Sequence, residues 1–272
     1  MSVSSHQSTV DPAELAEALV ALREQGPLVQ CLTNIVVANF TANVLLATGA
    51  SPAMVDNPAE AGPFARIAGS VLVNLGTPYP DTAQAMTGAV LGAAAAGKPW
   101  VLDPVAAGAL AWRTTLAHEL VAQHAPTIIR GNASEVMALA GGSGGKGVES
   151  VDTADQAIDV AVRLAGEHGS MVAVSGPVDH LTDGERMVRL ANGHPLLTRV
   201  TGAGCALGAL MAAFAAVVDD PLVAGAAATA TFTVAADTAA TRSQGPGSFA
   251  VALLDDLADL TPDELRSSVR IS

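Results

Sequence analysis

The strongest constraint on how this chain can fold is a rhythm. Short apolar runs recur with longer segments of helical period between them: LVQCL at 28–32, PAMV at 52–55, SVLVNL at 70–75, WVLD at 100–103, TIIR at 127–130 and MVAVS at 171–175. Strands apolar on both faces need cover on both, and a helix between successive strands lets them run parallel. The spacing therefore predicts an α/β fold, a mostly parallel central sheet with helices on both faces. HLTDGERMVRL at 180–190 breaks the rhythm. Its Asp183-Gly184 pair, set between alternating residues, is a hairpin signal, so an antiparallel edge is expected there. From residue 202 onward the strand signals stop and helices close the chain.

Local signals set the limits of the helices. In DPAEL, Asp11 can cap, Pro12 opens the helix and Glu14 completes a capping box, which predicts a first helix over 11–24. TPDEL at 261–265 repeats the device. Residues 1–10 read as a mobile polar tail, and no linker divides the remainder, so residues 11–272 are expected to form a single domain. Half of the residues are hydrophobic, enough for a sizeable core, yet aromatics are only 3%, which implies helices packed closely on small side chains. The apolar runs 203–218 and 221–240 are too short, or too interrupted by hydroxyls, for a membrane span and read as buried helices.

Several function classes drop out. A net charge of −13 with no cluster of lysine or arginine repels nucleic acid and anionic membrane alike. Cys31 and Cys205 cannot make a disulfide framework, and residues 1–10 lack the charged start and apolar stretch of a secretory signal, so a cytoplasmic protein is expected. AGGSGGKG at 140–147 fails as a phosphate-binding P-loop: Ala140 and Gly147 stand where glycine and a hydroxyl residue are needed, and a helix rather than a strand precedes it. It reads as a solvated loop. His118 and His124 lie six apart, off the i, i+4 face of a zinc helix, and read as surface residues. No G-x-S-x-G anchors serine hydrolase chemistry.

VTGAGCALGALMAAF at 200–214 is more informative. Gly202-Ala203-Gly204 lets backbone N–H groups converge, and the helix that follows adds the positive end of its dipole, which together suit a phosphate. Cys205 then falls in the first helical turn, where that field is expected to lower a thiol pKa; the alternative is a small buried hydrophobe. Asp103 ends a strand at the carboxyl edge of the sheet, where open α/β folds bind ligands. In RGNASEV, Glu135 is either the third residue of a capping box opened by Asn132 or a magnesium-directed carboxylate beside Asp103. Arg130 could pair with an acidic neighbour or with a phosphate.

From about residue 28 to about 215 the segments LTNIVVANFTANVLLATGASPAM, LVNLGT, VLDPVAAGA, IIRGNASEV, VAVSGPVDHLTDG and VTGAGCALGAL stand in the order found in hydroxyethylthiazole kinases, a family of the ribokinase-like superfamily, which the chain closely resembles. The resemblance implies a three-layer ribokinase-like fold and transfer of the γ-phosphoryl group of ATP to the hydroxyl of 4-methyl-5-(2-hydroxyethyl)thiazole, in thiamine synthesis or salvage. It also implies Mg2+ and a homotrimer with active sites between subunits.

Residue by residue, Cys205 matches the position where related kinases commonly carry an aspartate base. Met54, Gly202 and Asn34 match the thiazole end; Arg130, Ser175 and Gly204 match the ATP side; Asp103 and Glu135 match the metal and phosphate carboxylates. Ser175 replaces a frequent threonine and keeps the hydroxyl, Ile35 replaces a frequent tyrosine, and MVDN replaces a frequent MAHA. Rival readings on the same fold are a dehydratase for hydrated nicotinamide nucleotides and kinases for pyrimidines or pyridoxal, all of which normally place aspartate at the position of Cys205. A regulator that binds nucleotide without catalysis is the rival from another class.

Overall fold

The computed structural model describes residues 10–141 and 151–272. Residues 1–9, and with them nearly all of the expected tail, lie outside the described residues, as do residues 142–150 of the glycine-rich loop. Val10, assigned to the tail on sequence grounds, is buried in the core.

Eight strands form one sheet: β1 (Leu28–Leu32), β2 (Ser51–Ala53), β3 (Ser70–Asn74), β4 (Trp100–Asp103), β5 (Ile128–Asn132), β6 (Met171–Ser175), β7 (Asp179–Thr182) and β8 (Met187–Leu190). Their order is β2-β1-β3-β4-β5-β6-β7-β8, parallel from β2 through β6 and antiparallel for the last two pairings. The hairpin expected from Asp183-Gly184 is thus β7–β8. PAMV yields a strand that ends at Ala53, so Met54 lies just beyond the edge strand rather than within it.

The helices are α1 (Pro12–Gln25), α2 (Ala38–Thr48), α3 (Ala61–Ala65), α4 (Pro80–Ala95), α5 (Ala111–Gln123), α6 (Ala133–Leu139), α7 (Val151–His168), α8 (Ala203–Ala215), α9 (Pro221–Arg242), α10 (Pro246–Asp259) and α11 (Pro262–Ser268). Both capping boxes read from the sequence form, Asp11 with Glu14 and Thr261 with Glu264. Strand side chains alternate between two cores with period two. Leu72, Ile128 and Met171 face α1, α2 and α8–α10, while Val71, Val73, Ile129 and Val172 face α3–α7.

Small residues let the first of these layers come close. A Cβ added to Gly208 of α8 would stand 3.4 Å from Leu72 Cδ1 and 3.5 Å from Asp103 Oδ2, so α8 rests directly on the centre of the sheet. Its first turn then lies over the carboxyl ends of the strands. The apolar helix α9 is long enough to cross a membrane by composition, but most of it is buried inside the protein, as expected for a core helix. Although strand signals stop at residue 202, Ile271 makes an isolated antiparallel bridge to Leu190, so the last residues return to the sheet edge.

Candidate active site

Strand order reverses between β1 and β3: the chain passes from β1 outward to β2 and then returns to the other side of β1. A crevice opens at the carboxyl ends of strands at such a switch point. The polar side chains that β1, β3 and β4 deliver there are Asn34, Asn74 and Asp103, all buried. Asn74 Nδ2 donates to Asp103 Oδ2 at 2.7 Å. Asn74 Oδ1 accepts from Asn34 Nδ2 at 2.9 Å and from the Gly76 N–H at 3.0 Å. Asn34 Nδ2 also reaches Cys205 Sγ at 3.6 Å, which ties α8 to three strand ends.

Asp103 is fully buried, and burial pushes its carboxyl up to about 7; Arg130 and the Asn74 hydrogen bond oppose that rise, while Glu135 adds to it. Its Oδ1 stands 3.8 Å from Arg130 Nη1, too far for a hydrogen bond, and has no hydrogen-bond partner. Arg130 Nε is likewise buried and unpartnered, whereas Nη2 donates to Ser175 Oγ at 3.0 Å. Of the two roles left open by the sequence, Arg130 thus takes the one of facing an acidic neighbour. Glu135 realises its capping role, with Oε2 accepting from the Asn132 N–H at 2.9 Å. Oε1 accepts from the Ala106 N–H at 3.0 Å, fastening the turn after β4, whose Ala106 has φ +64°.

Cys205 overturns one expectation. Its thiol pKa is raised, not lowered: burial dominates, the Asp103 charge adds to it, and the amides of Asn74 and Asn34 and the charge of Arg130 only partly oppose it. A first-turn position does favour the thiolate, but the small-residue packing that carries α8 onto the sheet also takes the half-buried sulfur partly out of water and sets it beside a carboxyl.

Next to this cluster is a cavity of about 680 Å³, within the range of small-molecule sites. Arg130, Ser175 and Gly204 line it, so the three residues matched to the ATP side come together on one wall. Leu197, Leu207 and Phe232 supply apolar surface. Cys205, Asn34 and Gly202 are not part of its lining, and Met54 and Ile35 are exposed beside β2 and beyond β1 respectively. The first turn of α8 thus separates the cavity from the Asn34 end. Gly202, its N-cap, has φ +92°, and a Cβ there would stand 2.7 Å from Val37 Cγ1.

Two site residues were not singled out from the sequence. Asn74 sits in LVNLGT and Asp179 in SGPVD, both inside segments that carried the resemblance, but an asparagine or aspartate at a strand end has no distinguishing spacing. Asp179 lines the cavity and accepts from the Gly176 N–H at 3.0 Å, closing the turn that presents Ser175. Burial pushes its carboxyl up to about 6, against the Gly176 amide, Arg130 and Ser175. Among the described residues no group of three or more histidine, cysteine or acidic side chains could hold a metal by itself.

Comparison with known proteins bears on the family and the fold. Residues 19–263 match the model of the hydroxyethylthiazole kinase family. The chain is 59% identical over 258 residues to a hydroxyethylthiazole kinase of Clavibacter sepedonicus, covering 94% of each, and 54% identical over 264 residues to one of Cutibacterium acnes, covering 95% of each. Its fold superposes on hydroxyethylthiazole kinase from Pyrococcus horikoshii with a TM-score of 0.88 at 39% identity, over 95% of this chain and 98% of that one. A ribokinase-like superfamily protein from Enterococcus faecalis shares the fold alone, with a TM-score of 0.69 at 12% identity over 96% of this chain and 99% of that one.

Proposed function

The chain belongs to the hydroxyethylthiazole kinase family, and from that premise we propose how its site uses ATP to phosphorylate the hydroxyl of 4-methyl-5-(2-hydroxyethyl)thiazole, giving the phosphate used in thiamine synthesis or salvage. The observation that carries the reading is the division made by the first turn of α8. Gly204 forms part of the cavity wall, and the next residue, Cys205, is tied to Asn34 at the other end. A nucleotide in the cavity thus meets an acceptor alcohol across one helical turn.

Arg130, Ser175 and the amides at the start of α8 receive the phosphates, and Leu197, Leu207 and Phe232 offer apolar surface to the base. Gly202, Asn34 and Met54 hold the thiazole alcohol, with Met54 packing on the ring. Phosphoryl transfer of this kind passes through a loose transition state, so alignment and charge neutralisation outweigh base strength. Cys205 accepts the hydroxyl proton late in the transfer in its thiolate form, which the raised pKa leaves as the minor form at neutral pH.

The donor set fits magnesium. Mg2+ favours oxygen ligands and is commonly held by one or two carboxylates plus substrate phosphates, and Asp103 Oδ1 is a buried carboxylate oxygen with no hydrogen-bond partner. Asp103 would hold the ion, Glu135 would face its waters, and the ion would supply neutralisation of the phosphate charge.

The exposure of Ile35 and Met54 beside the acceptor end supports a homotrimer whose sites lie between subunits, because large apolar side chains at a substrate site call for cover. Two free thiols, one of them chemical, suit a reducing cytoplasm.

The test is to incubate the protein with ATP, Mg2+ and the thiazole alcohol and to weigh the product. A mass gain of one phosphoryl group supports the reading; turnover only of a hydrated nicotinamide nucleotide overturns it. Sedimentation showing a 27.1 kDa species alone at working concentration overturns the shared site.

A further inference from the structure

Part of the cavity wall is Asn192–Pro195, an irregular segment that leaves β8. It is held from outside the cavity, at Gly193, at the Asn192 side chain and at Ala191 just before it. The Gly193 N–H donates to Asp237 Oδ1 at 3.0 Å, and the preceding Ala191 N–H donates to the Arg270 carbonyl at 2.9 Å. The Ala191 carbonyl accepts from Arg270 Nε at 3.1 Å and from Nη2 at 2.7 Å. The buried Asn192 amide completes the set: Nδ2 donates to Asp237 Oδ2 at 2.9 Å and to the Ser268 carbonyl at 3.1 Å, while Oδ1 accepts from the Arg270 N–H at 2.6 Å. Arg270 Nη2 also reaches Asp237 Oδ2 at 3.0 Å.

Beyond Arg270, Arg189 and Ser272 exchange both backbone hydrogen bonds, at 2.8 and 3.0 Å, around the Leu190–Ile271 bridge. Residues 269–272 therefore run along the outer edge of β8 as a strap. Arg270 is where strap, α9 and cavity wall meet, since Asp237 lies on α9 one turn beyond Thr233, which itself lines the cavity. The strap falls after the 19–263 span that matches the family model.

We propose that Arg270 and Asp237 are positioning residues for nucleotide binding, holding Asn192–Pro195 in its binding conformation without touching the ligand. The Arg270–Asp237 ion pair is not what matters, because its side chains are 56% and 28% exposed and such pairs contribute little. What matters is that this wall segment has no sheet partner of its own: Asp237 meets the Gly193 N–H and the Asn192 side-chain amide, while the Arg270 side chain fixes Asp237 and the Ala191 carbonyl at the segment's start. Without Arg270, the segment visits other conformations, and the apparent affinity for nucleotide falls by the fraction that remains competent. The proposal rests on the nucleotide cavity assigned above.

The experiment measures the affinity of a non-hydrolysable ATP analogue by calorimetry for the unaltered protein, Arg270→Ala, Arg270→Lys and Asp237→Asn, alongside steady-state kinetics. Arg270→Ala is expected to weaken binding about tenfold, roughly 1.4 kcal/mol. It should raise KM for ATP in parallel, leave KM for the thiazole alcohol within twofold, and be partly rescued in Arg270→Lys. In the unaltered protein, the analogue should slow amide hydrogen exchange in residues 191–195 and also in 270–272.

Equal affinities across the variants, or protection of 191–195 with no change at 270–272, would overturn the proposal and leave the strap as a fold-stabilising feature only. Binding of the analogue needs no acceptor alcohol, so these readouts stand apart from the identity of the substrate. An unaltered protein that binds no nucleotide would take down both readings, whereas bound protein with indifferent variants takes down this one alone.

Discussion

The guanidinium of Arg130 lies against the backbone of Gly204 so closely that a Cβ at position 204 would stand 2.8 Å from Nη1 and 2.9 Å from Nη2. The glycine thus makes room for the arginine that faces Asp103 and Ser175.

Gly204→Ala should therefore act on the nucleotide rather than on the fold. The clash is with the far end of a flexible side chain, which can move, but Arg130 then loses its seat on the cavity wall. KM for ATP is expected to rise about tenfold, the equivalent of roughly 1.4 kcal/mol, with the melting temperature little changed. An unaltered KM would show that Arg130 adjusts without loss.

Gly202→Ala should act on the fold. Position 202 combines φ +92° with a Cβ site 2.7 Å from Cγ1 of Val37, a β-branched residue that is stiff about χ1. The left-handed conformation alone costs about 1–2 kcal/mol for a residue with a Cβ, and the contact adds to it. A fall in melting temperature of at least roughly 2–4 °C is expected on thermal unfolding of a chain this long. No measurable fall would mean that the turn rearranges freely.

Cys205 can be tested by replacing its proton acceptor. Cys205→Ala should lower kcat roughly 10²–10⁴-fold, the usual scale for loss of a general base. Cys205→Asp should keep substantial turnover, because a carboxylate starts far below a thiol in pKa and remains better ionised at neutral pH even after the same burial. Since the wild-type thiol is raised, its kcat should climb as pH rises above neutrality, and Cys205→Asp should lose that climb. Wild-type rates in Cys205→Ala would reduce the cysteine to packing.

Asp103→Asn and Glu135→Gln should each raise the magnesium needed for half-maximal rate, and Asp103→Asn more so, since Glu135 already gives both oxygens to backbone amides. Unchanged magnesium titrations would remove both residues from metal binding.

The same carboxyl makes a separate prediction for the protein without ligands. Its folded value of about 7 lies above the ordinary 3.8, so between those values the unfolded chain has released a proton that the folded protein keeps. Its contribution to stability is present at low pH and is lost as pH rises towards 7. Asp179, at about 6, acts in the same direction over a narrower window. The fall in melting temperature between pH 5 and 7.5 should be smaller in Asp103→Asn than in the wild type; parallel curves would contradict a buried, neutralised carboxyl.

Most of the fold was legible in the chain because its signals are local. Apolar runs between helical segments set the strands, Asp11 with Glu14 and Thr261 with Glu264 set helix starts, and Asp183-Gly184 set the hairpin. Residues 270–272 gave no such signal, since an isolated bridge depends on an edge made by β8, far away in sequence. Within the site, Asp103 could be found because it ends a strand and Cys205 because it stands in a helix's first turn, whereas Arg130, where the apolar run ends, lies inside a strand that continues to Asn132.

What the sequence alone determined, then, was which side chains reach the carboxyl ends of the strands. Only the tertiary structure decided what state and partners they have there. Helix α8 packs on the sheet through small residues, burying Cys205 beside Asp103 and raising a thiol that its helix position alone would lower. The tertiary fold also joins Asn34 and Asn74 through a hydrogen bond between adjacent strand ends and gives both Glu135 oxygens to backbone amides. Burial and pairing depend on groups distant in the chain, and a pKa or a hydrogen bond follows from those surroundings rather than from residue type.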